Sequence, residues 1–116
     1  MTTQAYHEAS MNLLAQADAE LAAGDVRQAS EKGCGAAAQV VKAVAEQRGW
    51  PHQSHSSLYR GDERLTAESG DDSLSDLFHV ANALHQNYYE NWDKAENVGR
   101  ALNAMRRFVE KLSVHF

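Results

Sequence analysis

The chain has 116 residues, of which 43% are hydrophobic and 23% charged, with a net charge of −5 at pH 7. That length suits one domain with a buried core, and the acidic balance excludes broad binding to nucleic acid or anionic membrane through the overall charge. One cysteine, a first segment unlike a signal peptide and no long apolar run predict a cytoplasmic protein without an intramolecular disulfide or a membrane span.

An alanine-rich composition with a single proline favours helices. The first helix is predicted from roughly Thr3 to Ala23 and the second from about Val26 to Arg48. Between them, Gly24 is typical of the position just after a helix, and Asp25 is typical of the N-cap of the next one. So short a connection predicts that the second helix packs antiparallel to the first.

Two glycines, Gly33 and Gly35, interrupt the second predicted helix within the segment GCGAAA. Each costs roughly 1 kcal/mol relative to alanine in a helix interior. We interpret them as positions where another helix approaches closely, and the alternative is a ligand lying against the exposed backbone. Cys34, between them, is predicted to be a buried and unreactive thiol.

The segment after the second helix predicts a break and then a short third helix. Gly49 ends the second helix and Pro51 prevents its continuation. Ser54 or Ser56 is suited to cap a third helix near Ser57 to Ala67.

The fourth helix is predicted from Asp72 or Ser73 to about Asn91, and the fifth begins at a capping box formed by Asp93 and Glu96. The apolar positions of the fifth helix recur every three or four residues: Ala95, Val98, Leu102, Met105, Val109, Leu112 and Phe116. The sequence therefore predicts one all-α domain over residues 1–116, an antiparallel four-to-five-helix bundle.

The segment ALHQNYYENW, residues 83–92, concentrates polar and aromatic side chains at the end of the fourth helix. Helical spacing places His85, Tyr88 and Trp92 on the stripe that faces the core. His85 is then either a buried residue bonded to tyrosine hydroxyls or a backbone carbonyl, or one wall of a polar pocket that it shares with Tyr88. Asn87 and Tyr89 fall toward the flanks, where they could contact solvent or a partner.

The six histidines raise the question of a metal site. His52 and His55 could supply two ligands, with His79 or His85 and Asp76 completing the set. A di-iron bundle needs two Glu-x-x-His motifs, which are missing, and a lone cysteine offers no zinc spacing. The sequence therefore predicts neither a metal nor another cofactor.

Three segments resemble the HEPN-type helical bundles, and most closely their small stand-alone paREP-like branch. They are LLAQADAELAAGDVRQASEKGCGAAAQVVKAVAEQRGW, PHQSHSSL and LFHVANALHQNYYEN, and the likeness extends over about residues 5 to 112. The resemblance implies a bundle that usually dimerises. It also implies one of three activities: cleavage of RNA, nucleotide binding, or partnership with a nucleotidyltransferase in a toxin–antitoxin pair.

The ribonucleases among these bundles use an Arg-x(4–6)-His motif, in which arginine orients the phosphate and histidine assists proton transfer. No arginine precedes His85 at that distance, and seven residues separate Arg107 from His115. Arg48 and His55 fit with six residues between them, but they lie between the second and third helices rather than near the C-terminal helices. The sequence therefore favours a protein without this activity and leaves this pair as the weak catalytic candidates.

We expect a non-catalytic, HEPN-like interaction module that forms a homodimer or binds a protein partner such as a nucleotidyltransferase. The alternatives are a bundle that binds a nucleotide or small ligand and, less favoured, a HEPN-type ribonuclease. The candidate residues for ligand or partner binding are His52, His55, His85, Asn87, Tyr88, Tyr89 and Trp92.

Overall fold

A computed structural model describes residues 1–116 and contains five helices and no strand. The helices are α1 (Thr3–Ala22), α2 (Val26–Arg48), α3 (His55–Ser69), α4 (Ser73–Glu90) and α5 (Ala95–Ser113). The predicted all-α class is confirmed. The third helix is longer than predicted, since it begins two residues earlier and ends two residues later.

Local capping explains why the helix ends were predictable. The side chain of Asp25 accepts a hydrogen bond from the backbone of Gln28 at the start of α2, and Gly49 adopts a φ of 70° at its end. At the start of α3, Ser54 and Ser57 form a reciprocal capping box. These contacts satisfy backbone groups that a helix end would otherwise leave without partners.

Helix α2 lies at the centre of the bundle and contacts each of the other four helices. Side-chain bonds from α1 fix the antiparallel pairing: the Thr3 hydroxyl donates to the carbonyl of Ala43 at 3.1 Å and the Ser10 hydroxyl to that of Ala36 at 2.7 Å. The largest fully buried apolar side chains include Phe108, Leu65, Leu74, Leu102, Met105 and Leu112.

The glycine segment of α2 allows the close approach that its sequence predicts. A Cβ placed on Gly33 would lie 2.6 Å from Leu102 Cδ2 and 3.0 Å from Leu84 Cδ1. Helices α4 and α5 therefore pack against α2 at a distance that only glycine permits without a shift of these leucines.

The predicted capping box at the start of α5 is wrong. Helix α5 begins at Ala95 with Lys94 as its N-cap, and no side chain caps it. The Asp93 carboxylate instead accepts hydrogen bonds from the backbone of Lys94 and the side chain of Asn97, both at 2.9 Å. Ala95 and Phe116, the two ends of the predicted apolar stripe, are exposed. Phe108, which the predicted stripe did not include, is fully buried.

No helix of the chain combines the length and the apolar character needed to cross a lipid bilayer.

Candidate functional site

The end of α4 is rotated relative to the predicted stripe. Leu84 and Asn87 are buried, whereas His85 and Tyr88 are only half-buried and Trp92 is 66% exposed. The prediction that Trp92 faces the core is wrong because α4 ends at Glu90, before the stripe reaches it. The prediction that Asn87 lies on a flank is also wrong.

Asn87 is buried, and both polar atoms of its side-chain amide have hydrogen-bond partners. Its Nδ2 donates to the hydroxyl of Ser30 on α2 at 2.9 Å. Its Oδ1 accepts the backbone N–H groups of Trp92 at 3.0 Å and Asp93 at 2.9 Å. Asn87 therefore holds the turn between α4 and α5 against α2, which is a structural role rather than a binding one.

His85 contacts a carboxylate rather than a tyrosine hydroxyl or a backbone carbonyl. Its Nδ1 lies 3.2 Å from Glu31 Oε1 on α2. The ring of Tyr89 packs edge-on against the imidazole at 5.3 Å between centroids, and the ring of His55 lies 6.0 Å away. The interpretation of His85 as an enclosed core residue is therefore wrong.

His85 does line a small cavity between α2, α3 and α4. The cavity has a volume of about 60 Å³. Sites for drug-sized ligands are several times larger, at roughly 300–1,000 Å³. Tyr88, the other residue predicted for such a pocket, does not line it. Its walls are formed by Cys34, Ala38, His55, Leu58, Tyr59, Phe78, Ala81, Asn82 and His85.

Of the predicted histidine ligands, His55 and His85 lie close together, with 6.0 Å between their ring centres, whereas His52 and His79 bond to other groups. The buried His52 ring bonds through Nε2 to Glu46 Oε2 at 2.8 Å and packs against Tyr6. His79 Nδ1 lies 2.7 Å from the carbonyl of Ser75 in its own helix. These nitrogens therefore already have partners.

The two weak catalytic candidates have separate surroundings. Arg48 forms an ion pair with Glu68 on α3, and its guanidinium lies 5.2 Å from the centre of the Trp50 ring. His55 is exposed at the first position of α3 and neighbours His85. Because Arg48 is paired with the Glu68 carboxylate and stacked on the Trp50 indole, its guanidinium is not free to orient a phosphate.

Exposed aromatic side chains gather where α4 ends. Tyr89 is 67% exposed and Trp92 66%, and the ring of Tyr88 packs edge-on against that of Tyr89 at 5.0 Å. Arg27 of α2 stabilises this arrangement, since its Nε donates to the carbonyl of Tyr88 at 2.9 Å and its guanidinium lies 5.3 Å from the Tyr88 ring. We call Tyr88, Tyr89 and Trp92 the aromatic end of α4.

A cluster that the sequence analysis missed lies next to the cavity. Glu31, Cys34 and His85 each place one potential ligand atom within 4.8 Å of the other two. Cys34 is half-buried rather than buried, and burial, followed by the charge of Glu31, raises the pKa of its thiol to about 11. The Glu-x-x-Cys spacing of Glu31 and Cys34 could have indicated two potential ligands on one face of α2, but nothing in the sequence indicated that His85 of α4 would join them.

Comparison with known proteins identifies a family. The family model described as the archaeal PaREP1/PaREP8 family matches residues 5–109. No curated protein and no solved structure matches the chain.

Proposed function

The chain belongs to the archaeal PaREP1/PaREP8 family, and from this premise we propose that it is a non-catalytic interaction module. It pairs with a second copy of itself through the aromatic end of α4. The observation that carries this proposal is the exposure of two large aromatic side chains, Tyr89 and Trp92, which are three residues apart in the sequence where α4 ends.

Tyrosine and tryptophan are enriched at protein interfaces because they combine a large apolar surface with a polar group. The backbone that carries these side chains is already held in place, since Asn87 accepts a hydrogen bond from the backbone N–H of Trp92 and Arg27 donates one to the carbonyl of Tyr88, the residue before Tyr89. Dimerisation therefore costs side-chain rotamer freedom but little backbone entropy.

The charges around the aromatic end are suited to pairing with a second copy. Exposed residues of both signs surround it: Arg27 and Lys94 are cationic, and Glu90 and Asp93 are anionic. In a twofold interface the same patch meets itself, so a patch with both signs can pair opposite charges across the axis.

The HEPN-type resemblance supports the same proposal, because such bundles usually dimerise. The proposal further includes a cytoplasmic location and a partnership with a nucleotidyltransferase in a toxin–antitoxin pair. The cavity that His85 lines has a volume of only about 60 Å³, which favours interaction over nucleotide binding at the end of α4. The ion pair of Arg48 with Glu68 favours it over ribonuclease activity.

The test is the mass in solution, measured by light scattering coupled to size-exclusion chromatography at micromolar concentration. We expect the wild-type protein to have twice the chain mass of 12.8 kDa, and the double variant Tyr89→Ala/Trp92→Ala to have the mass of one chain. Circular dichroism should show that the variant keeps its helical content.

The matched control replaces another exposed apolar side chain. Met11 is 50% exposed on α1, a helix that does not contact α4. Met11→Ala should leave the dimer intact. A monomeric wild-type protein, or a dimer that survives the double substitution, contradicts the proposal.

A further inference from the structure

Three side chains with different donor atoms converge beside the small cavity. Glu31 and Cys34 are three residues apart on α2 and therefore share one face of that helix. His85 reaches the same place from α4, with Nδ1 3.2 Å from Glu31 Oε1. One ligand atom from each of the three lies within 4.8 Å of the other two.

We propose that Glu31, Cys34 and His85 form a binding site for a divalent transition-metal cation of the zinc type. Thiolate, imidazole and carboxylate are the three protein ligands of zinc. Carboxylate and imidazole alone would also suit other cations, but a thiolate selects for softer ones. Magnesium and calcium, which prefer all-oxygen sites, are therefore disfavoured.

The geometry requires only a small contraction of the cluster. Metal–ligand distances of about 2.0–2.3 Å place the ligands of a tetrahedral site roughly 3.5 Å apart. The side chains of Glu31 and His85 are each about one-third exposed, at 34% and 33%. Both can therefore move toward an ion without disturbing the core.

The electrostatics favour a cation at this position. The carboxylate of Glu31 supplies a negative charge within 4.8 Å of the ligand atoms of Cys34 and His85. A divalent cation is attracted by this charge, and on binding it displaces the proton of the Cys34 thiol and holds the thiolate.

His55 is placed to complete the site. It lines the cavity together with Cys34 and His85, and its ring centre lies 6.0 Å from that of His85. As an exposed residue at the first position of α3, it has room to change rotamer. The apolar walls formed by Leu58 and Phe78 exclude water from one side, which strengthens the metal–ligand attraction.

The experiment uses Co²⁺ and Zn²⁺ with the full chain after removal of metal by a chelator. We expect one equivalent of Co²⁺ to produce the absorbance of a thiolate-to-cobalt charge transfer. One equivalent of Zn²⁺ should then displace it. Zn²⁺ should also raise the melting temperature, since it binds the folded state.

Two single variants test the ligands, and a third is the matched control. Cys34→Ser should abolish the charge-transfer band, and His85→Gln should weaken Zn²⁺ binding by roughly 100-fold or more. His79→Gln removes another histidine of α4 and should change neither. If Cys34→Ser does not fold, Cys34→Ala gives the same comparison, and circular dichroism identifies which variant is folded.

The absence of a thiolate band at one equivalent of Co²⁺ would overturn the proposal. So would Zn²⁺ affinity that is unchanged in both His85→Gln and the folded Cys34 variant. For the fourth ligand, His55→Ala should weaken Zn²⁺ binding by about tenfold, and an unchanged affinity would overturn the assignment of His55. None of these results depends on whether the protein is a dimer.

Discussion

The side-chain amide of Asn87 donates a hydrogen bond to the hydroxyl of Ser30, with 2.9 Å between the two atoms, and joins α4 to α2 inside the bundle. Ser30 in turn donates to the carbonyl of Val26 at 2.8 Å. Because the carbonyl oxygen of the same amide accepts two backbone N–H groups of the following turn, Asn87 links three parts of the chain.

Asn87→Ala should therefore lower the free energy of unfolding by about 3 kcal/mol. The substitution leaves the backbone N–H groups of Trp92 and Asp93 without a partner and removes the bond to Ser30, which keeps only its bond to Val26. Each lost hydrogen bond or unsatisfied group costs about 1–3 kcal/mol. Urea denaturation followed by circular dichroism measures the change. Gln86→Ala, at the exposed neighbouring position, is the control and should change stability by less than about 0.5 kcal/mol. Equal stabilities for the two variants would contradict the role of Asn87.

Replacement of glycine by alanine should have opposite effects on stability at Gly33 of α2 and at Gly99 of α5. Gly33→Ala should destabilise the protein by about 1–2 kcal/mol, because the strain of a Cβ 2.6 Å from Cδ2 of the buried Leu102 exceeds the gain of about 1 kcal/mol in helix propensity. Gly99→Ala should stabilise it by up to about 1 kcal/mol, since the nearest atom, Leu21 Cδ2, is 3.5 Å away and alanine favours the helix. Thermal unfolding of the two variants checks this, and a stabilising Gly33→Ala would contradict the close packing.

Asp62 gives the bundle a predicted dependence on pH. Burial raises the pKa of its carboxyl to about 7, with the charge of His79 lowering it and that of Glu63 raising it. Its Oδ1 accepts no hydrogen bond from any residue. Between about pH 4 and pH 7, the folded state therefore holds a proton that the unfolded state has released. The contribution of Asp62 to stability is present at low pH and is lost as pH rises through about 7.

The variant Asp62→Asn removes this titration. At pH 8 it should be more stable than the wild-type protein by roughly 2 kcal/mol, and the difference should shrink as pH falls toward about 4. Urea denaturation at a series of pH values measures both curves. Two curves that stay parallel from pH 4 to pH 8 would show that the carboxyl is not perturbed.

The surroundings of Arg48 and His55 predict that the protein does not cleave RNA. Arg48 is held by Glu68 and Trp50, whereas His55 neighbours His85. Incubation with a labelled single-stranded RNA should give no more product than a buffer blank, and His55→Ala should behave like the wild-type protein. Cleavage that disappears in both His55→Ala and Arg48→Ala would instead establish the ribonuclease hypothesis.

The sequence alone determined the helices, because the signals that start and stop a helix are local. Asp25 and Gly49 bound α2 at the predicted residues, since a cap needs only its own neighbours and a positive φ needs only a glycine. Helical spacing likewise identified most of the core of α5. The prediction of a capping box at the start of α5 failed because the Asp93 carboxylate bonds to Lys94 and Asn97 instead.

Only the tertiary structure decided which face of α4 is buried and what lies beside it. Periodicity placed His85 on the core face and Asn87 on a flank, whereas the structure buries Asn87, which bonds to Ser30, a partner 57 residues away in the sequence. The convergence of Glu31, Cys34 and His85 was likewise hidden, because α2 and α4 meet only through packing. Local sequence sets backbone conformation, whereas a site built from two helices depends on contacts that no local pattern contains.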